Sequence, residues 1–307
     1  MDLAQWIRDC WRVRRWSRPI EDEARVVIFL FHSLFRSARE AASGVCDPQQ
    51  AITIDFFREF LEALLGSGAS IRDLEDAVVA PRPGLTAVIT FDDGYFNNAH
   101  ALPALEACGV LATFFISTSH VEQGKAFWWD AVYRNARRRG ADRRAIARQI
   151  QRMKGLTNDA IEARLIELYG RDALKPVTDC DRPFTPAELA AFADSHLVAL
   201  GNHTSDHAIL TNYGPDGARS QITGAQQYLT RLTGAAPKAI AYPNGNYDEA
   251  VARIARDAGL EIGVTVRSGV NTVPSPAPFD LRRLTVRRVP SASRQAGVFA
   301  HVNRSVG

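Results

Sequence analysis

Two adjacent carboxylates, Asp92 and Asp93, close the apolar run Ala87-Val88-Ile89-Thr90-Phe91 and are followed by Gly94. Such a run reads as a buried parallel strand. In parallel α/β folds the C-terminal ends of strands hold the reacting groups. Carboxylates side by side repel one another. A cation removes that cost by binding one of them and leaving the other as a base. Far along the chain, Gly201-Asn202-His203-Thr204-Ser205-Asp206-His207 follows a second predicted strand, Leu197 to Leu200. Two imidazoles four residues apart can reach one ion if the loop turns helically, and imidazole suits zinc and neighbouring transition metals. Asp93, His203 and His207 together supply three ligands and leave a fourth position open, as a catalytic zinc site requires. The ion lowers the pKa of a water held there, and Asp92 takes that water's proton. Each motif alone has a plain reading, an exposed Asp-Asp-Gly turn or two surface histidines. Their pairing at two strand ends carries the chemical one.

Two more loops offer groups to the same mouth. Tyr242-Pro243-Asn244 follows the short apolar run Ala239-Ile240-Ala241, and Pro243 with Gly245 shapes a tight loop. A backbone N–H in such a loop can face a tetrahedral oxyanion; the alternative is an ordinary turn. His32 directly follows the run Val26 to Phe31. It is either a structural histidine or a general acid for a leaving amine. Trp128 and Trp129 also have two readings: they line a sugar groove, or they pack inserted helices on the main body.

These loops need a frame, and a strand–helix rhythm supplies it. Predicted strands are Val26 to Phe31, Leu85 to Phe91, Leu111 to Ile116, Leu197 to Leu200, Lys238 to Tyr242, Glu261 to Val266 and Leu284 to Val289. Predicted helices start at Asp55, Leu102, Thr185, Ser220 and Asp248; Thr185-Pro186-Ala187-Glu188 is a capping box. Repeated βα units imply parallel strands with helices outside. Residues 124–183 break the rhythm with an Arg-rich helix around Arg134 to Arg148 and another around Asp159 to Tyr169. They read as a helical insertion, because the rhythm resumes afterward.

A chain of 307 residues with 46% hydrophobic and 23% charged residues is ordinary for a globular protein. Its 37 Lys and Arg against 34 Asp and Glu, a net +3, argue against nucleic acid as the main partner. No apolar run is long enough to span a bilayer. Cys10, Cys46, Cys108 and Cys180 are widely spaced, without a CxxC pair, and are expected as reduced thiols. Arg8, Asp9, Arg12, Arg14 and Arg15 interrupt any apolar signal core, so a cytoplasmic location is expected. Leu3, Trp6, Ile7, Cys10 and Trp11 form the stripe of an amphipathic helix over residues 1–20. It either packs on the domain or, through residues 1–18, touches an anionic membrane face. Residues 21–307 are expected as one domain.

The four constellations together resemble the polysaccharide deacetylases (carbohydrate esterase family 4, the NodB-homology group). Thr90-Phe91-Asp92-Asp93-Gly94 is similar to the family's TFDDG motif, and His203-Thr204-Ser205-Asp206-His207 to its H-[ST]-x-x-H motif. Ala112-Thr113-Phe114-Phe115 resembles the strand that follows the first motif. The resemblance runs from about Val26 to Val289. It implies a distorted (β/α)7 barrel, Asp93, His203 and His207 as ligands of a divalent metal, zinc first, and Asp92 as general base. It also implies an oxyanion contact from the Tyr242-Pro243-Asn244 backbone. Two departures stand out. Ala241 occupies the place of the arginine that braces the base, with Arg283 or Arg288 as substitutes. The late L-x-H motif is also missing, since His301 sits in Phe299-Ala300-His301. A branch that deacetylates poly-N-acetylglucosamine carries its acid histidine near the N-terminus, and Phe31-His32-Ser33 is similar, which assigns that role to His32.

The reaction so implied is metal-dependent hydrolysis of an N-acetyl group on an amino sugar of a glycan or glycolipid. A hydrolase of the same fold acting on another amide, a formamide or cyclic amide, is the first alternative. A non-catalytic carbohydrate- or membrane-binding protein is the second.

Overall fold

The computed structural model describes residues 23–289 and 291–297. The expected N-terminal helix and His301 lie outside them. Seven parallel strands form the frame: β1 Ala24–Phe31, β2 Gly84–Phe91, β3 Ala112–Ile116, β4 Val198–Asn202, β5 Ala239–Ala241, β6 Ile262–Val264 and β7 Arg283–Thr285. β1 pairs with β2 over its whole length, from Ala24 opposite Gly84 to Phe31 opposite Phe91. The order then runs β3, β4, β5, β6. Closure is thin. A single parallel bridge joins Val264 of β6 to Leu281, flanked by main-chain hydrogen bonds from Thr265 to Leu281, Leu281 to Gly263 and Arg283 to Arg267. Two residues after Leu281, β7 pairs with β1, Ile28 opposite Arg283. The result is a nearly closed, distorted (β/α)7 barrel.

Alternation along the strands divides two cores. Val26, Ile28, Val88, Phe115, Ala241 and Val264 face the barrel interior, while Val27, Phe29, Phe31, Ile89, Phe91 and Phe114 face the helices outside. There Phe31, Phe91 and Phe114 stack, with centroids 5.2 and 4.8 Å apart. Helix α1 (Ile54–Gly66) turns Phe56, Phe57, Phe60, Leu61 and Leu64 onto that stack. Each such side chain contributes roughly 1.5–3 kcal/mol on full burial. Thr53 caps α1 through its hydroxyl.

The expected elements differ from the structure in physically traceable ways. The Arg-rich helix is two helices, α2 (Trp128–Arg138) and α3 (Arg143–Met153). Gly140 breaks them at φ 79°, and Asp142 caps the second. The helix expected from Ser220 starts at Pro215, a residue suited to a first helical position. The Thr185–Glu188 capping box forms as expected. A three-residue strand, Asn271–Val273, runs antiparallel to β1; it is too short to show a period. No described helix is long and apolar enough to cross a membrane.

Candidate active site

Strand register delivers the reacting groups to one end of the barrel. Phe31 lies opposite Phe91, and Asp92 N–H donates to the Phe31 carbonyl, 3.0 Å away. His32 and Asp92 therefore leave neighbouring strands at the same level. Asn202 ends β4 opposite Ile116, and His203 N–H donates to the Ile116 carbonyl. His32, Asp92, Asp93, His203 and His207 all line one pocket of about 530 Å³, within the range of small-molecule sites. The backbone there is strained. Six non-glycine residues among those described have positive φ: Gln49, Ala51, Asp93, Thr204, His207 and Asn244. Four of them line the pocket and the other two adjoin it. Such conformations cost of order 1–3 kcal/mol each and persist where surrounding contacts impose them.

Asp93, His203 and His207 place one donor atom each within 4.8 Å of one another. Asp93 Oδ1 lies 3.5 Å from His203 Nε2 and 3.4 Å from His207 Nε2. A tetrahedral ion about 2.0–2.1 Å from each nitrogen or oxygen sets its donors roughly 3.3–3.4 Å apart, so the spacing fits a metal. Asp93 Oδ1 is buried without a hydrogen-bond partner, an expensive state for a carboxylate unless a cation meets it. His203 Nδ1 lies 2.7 Å from the Ala241 carbonyl. The ring must donate there, which leaves Nε2 as a lone pair facing the site. Burial pushes the Asp93 carboxyl up, but the imidazoles of His32, His203 and His207 outweigh it and hold Asp93 well below the usual carboxylate range.

Asp92 makes a different set of contacts. Arg283 Nη1 and Nη2 donate to its two carboxylate oxygens at 2.7 and 2.6 Å. Neither residue is appreciably exposed. Arg283 Nε donates to the Thr265 carbonyl, and Nη1 also reaches the Thr90 hydroxyl at 3.3 Å. Burial raises the Asp92 carboxyl, and Arg283 overrides that and keeps it below its ordinary value. Asp92 is thus an ionised carboxylate that coordinates nothing, beside a donor set built for a metal.

A family model described as polysaccharide deacetylase matches residues 80–263. The chain belongs to the polysaccharide deacetylase family. Among solved structures, the Streptococcus pyogenes deacetylase PplD in complex with acetate superposes with a TM-score of 0.61 at 17% identity, covering 90% of this chain and 99% of that one. IcaB from Ammonifex degensii gives 0.61 at 17%, covering 91% and 97%. The deacetylase domain of BpsB from Bordetella bronchiseptica gives 0.55 at 19%, covering 88% and 98%. At such identities the likeness is one of fold. No curated protein sequence matches the chain.

As a polysaccharide deacetylase the chain departs from the expected third motif, and the structure shows what fills the gap. Ala241 faces the barrel interior, and the guanidinium arrives instead from β7 through Arg283. Arg288 does not share this role: its side chain is exposed, and its N–H donates to the Gln50 carbonyl. Within Tyr242-Pro243-Asn244 only one backbone donor stays eligible. The Tyr242 N–H donates to Val264, and proline has none. The Tyr242 ring is fully buried against Tyr247, away from the pocket. Asn244 lines the pocket with φ 58°.

Trp128 and Trp129 are packing residues of the inserted helices that also reach the pocket. Trp129 packs edge-on against His207, centroids 4.6 Å apart, and its Nε1 donates to the Tyr95 hydroxyl. That hydroxyl donates to Asp130 Oδ2, whose other oxygen accepts the Asp47 N–H. Burial holds the Asp130 carboxyl well above its usual range. Four polar groups escaped the sequence reading. Gln49 Nε2 donates to Asp93 Oδ2 at 3.3 Å, and Gln50 Oε1 accepts from His32 Nδ1 at 3.0 Å. Tyr95 and Asp130 join the chain just described. Glutamines in a loop carry no periodic signal, and Phe127-Trp128-Trp129-Asp130 drew attention for its tryptophans alone.

Proposed function

We propose that this enzyme hydrolyses the N-acetyl amide of an amino sugar, with a divalent metal ion, zinc first, held by Asp93, His203 and His207. The observation that carries the reading is the orphaned Asp93 Oδ1 facing two imidazole Nε2 atoms, beside an Asp92 already paired with Arg283. When bound, the ion polarises the amide carbonyl and acidifies a water. Asp92 takes the proton from that water as general base. Arg283 grips both Asp92 oxygens, which fixes the carboxylate plane and keeps it ionised. The Asn244 N–H is the donor of the third motif aimed at the developing oxyanion. His32, in its doubly protonated form, gives the Nε2 proton to the departing nitrogen, while Gln50 accepts from its Nδ1–H and fixes the ring's orientation.

The test is acetate release from N-acetylated oligosaccharides by the purified protein, with its metal content measured in parallel. Acetate release that Asp92→Asn abolishes supports the reading. Full activity in that variant refutes the assigned base, and a protein blind to every N-acetyl sugar refutes the substrate.

A further inference from the structure

The insertion brings a lysine to the pocket that no step above uses. Lys154 follows Met153 at the end of α3, half-buried, and its ammonium reaches across the mouth to Asn244 Oδ1 at 2.6 Å. The backbone behind it is anchored, because Asn212 Nδ2 donates to the carbonyls of Lys154 and Leu156. Among the described residues no carboxylate lies within ion-pair distance of this ammonium. Its hydrogen-bond partner is a neutral amide, and burial pulls its pKa below the ordinary lysine value against the opposing influence of Asp47. A partly desolvated ammonium without an ion-pair partner has capacity for a further anion.

The charges around it point the same way. On the pocket wall Asp92 is neutralised by Arg283, and Asp93 faces the metal donors. Asp47 is the one further carboxylate there, and it acts on Lys154 from beyond ion-pair distance. Lys154 and Arg287 are both on the wall, and the Arg287 backbone is held by Gln295. With the catalytic charges balanced, Lys154 is left on the wall as an ammonium without an ion pair among the described residues.

We propose that Lys154 is an anion subsite, so that the preferred substrate is an acylated amino sugar carrying a phosphate or carboxylate. This rests on the amide-hydrolase reading above. The strap from Lys154 to Asn244 puts the subsite next to the loop that faces the oxyanion. The anionic group therefore belongs on the reacting sugar or on its direct neighbour.

The experiment compares kcat/KM for three soluble substrates at low and high salt. These are a neutral N-acetylhexosamine disaccharide, an N-acetylhexosamine 1-phosphate, and a disaccharide joining N-acetylhexosamine to a uronic acid. At least one charged substrate is expected to exceed the neutral one by roughly ten-fold to a hundred-fold, the worth of a hydrogen bond to a charged group. The charged arm that wins identifies the oxyanion. The preference shrinks as salt screens it. Lys154→Gln collapses the ratio of charged to neutral, and Lys154→Arg retains most of it. Equal rates on all three wild-type reactions overturn the subsite and leave amide hydrolysis standing. A Lys154→Gln loss that is the same for charged and neutral substrates also overturns it, because the lysine then only supports the Asn244 loop. No acetate from any of the three overturns the amide-sugar reading and the subsite together.

Discussion

Replacing Arg283 with methionine removes the guanidinium and roughly keeps the stem. Two hydrogen bonds, at 2.7 and 2.6 Å, vanish from a carboxylate that has almost no exposure. Breaking a buried ion pair from one side costs about 3–5 kcal/mol, a large part of a typical stability of 5–15 kcal/mol. At roughly 2–4 °C per kcal/mol for a large domain, Tm falls by about 10 °C. The pH dependence carries the sharper test. In the wild type the Asp92 pKa is depressed. Its contribution to stability is therefore present above the unfolded-state value, near 3.9, and is lost as pH falls through the folded value. In Arg283→Met burial acts on Asp92 against only His203 and His32, so its pKa rises and the variant gains stability relative to the wild type on acidification. The gap between the two closes below about pH 4. The acid limb of kcat/KM moves upward for the same reason. Arg283→Met combined with Asp92→Asn recovers part of the lost stability, because no charge remains buried. Urea melts from pH 3.5 to 8, paired with pH–rate profiles, measure all of this. An Arg283→Met protein with the wild-type midpoint at pH 7, or an unmoved acid limb, would refute the pairing as the device that holds Asp92 ionised.

Other predictions follow from single contacts. Asp93→Ala or His203→Ala abolishes stoichiometric metal binding measured by elemental analysis, and dialysis against a chelator removes wild-type activity until a divalent ion is returned. Gln49→Ala weakens metal affinity by about 10–100-fold in a competition titration, as expected when a ligand loses its orienting partner. Gln50→Leu lowers kcat by about ten-fold or more with KM little changed, because the doubly protonated His32 loses the acceptor that orients its ring. Tyr95→Phe leaves Trp129 Nε1 and Asp130 Oδ2 unpaired in the core, a loss of about 1–3 kcal/mol for each group readable in urea melts.

The frame was legible because its strands are continuous apolar runs and its loops follow them directly. Asp93 and His203 were legible because each stands just beyond an apolar run, and His207 because it repeats the histidine four residues on. Pairing across the barrel was harder to see. Arg283 stands 191 residues from Asp92 and meets it only because β7 closes beside β1, so sequence reading could offer two arginines but not choose. Tyr242 shows the reverse error. Its motif marks the right loop, yet sheet pairing with Val264 takes its N–H and the core takes its ring. The split of the Arg-rich helix at Gly140 was visible as a residue but not as a break, since one glycine within a helical pattern is often tolerated.

The thin seam between β6 and β7 acquires a different meaning once Arg283 is placed on it. One bridge at Val264, a few main-chain hydrogen bonds beside it and a three-residue strand hold the barrel shut there, and the same guanidinium that grips Asp92 also ties itself to Thr265 across the gap. The side chain works as a clasp whose tongue is part of the lock. A chain with an open seam cannot hold a competent base, however well its other strands are formed. Turnover is therefore a readout of ring closure itself, and it fails at the first loosening of the seam, before the helices outside have melted.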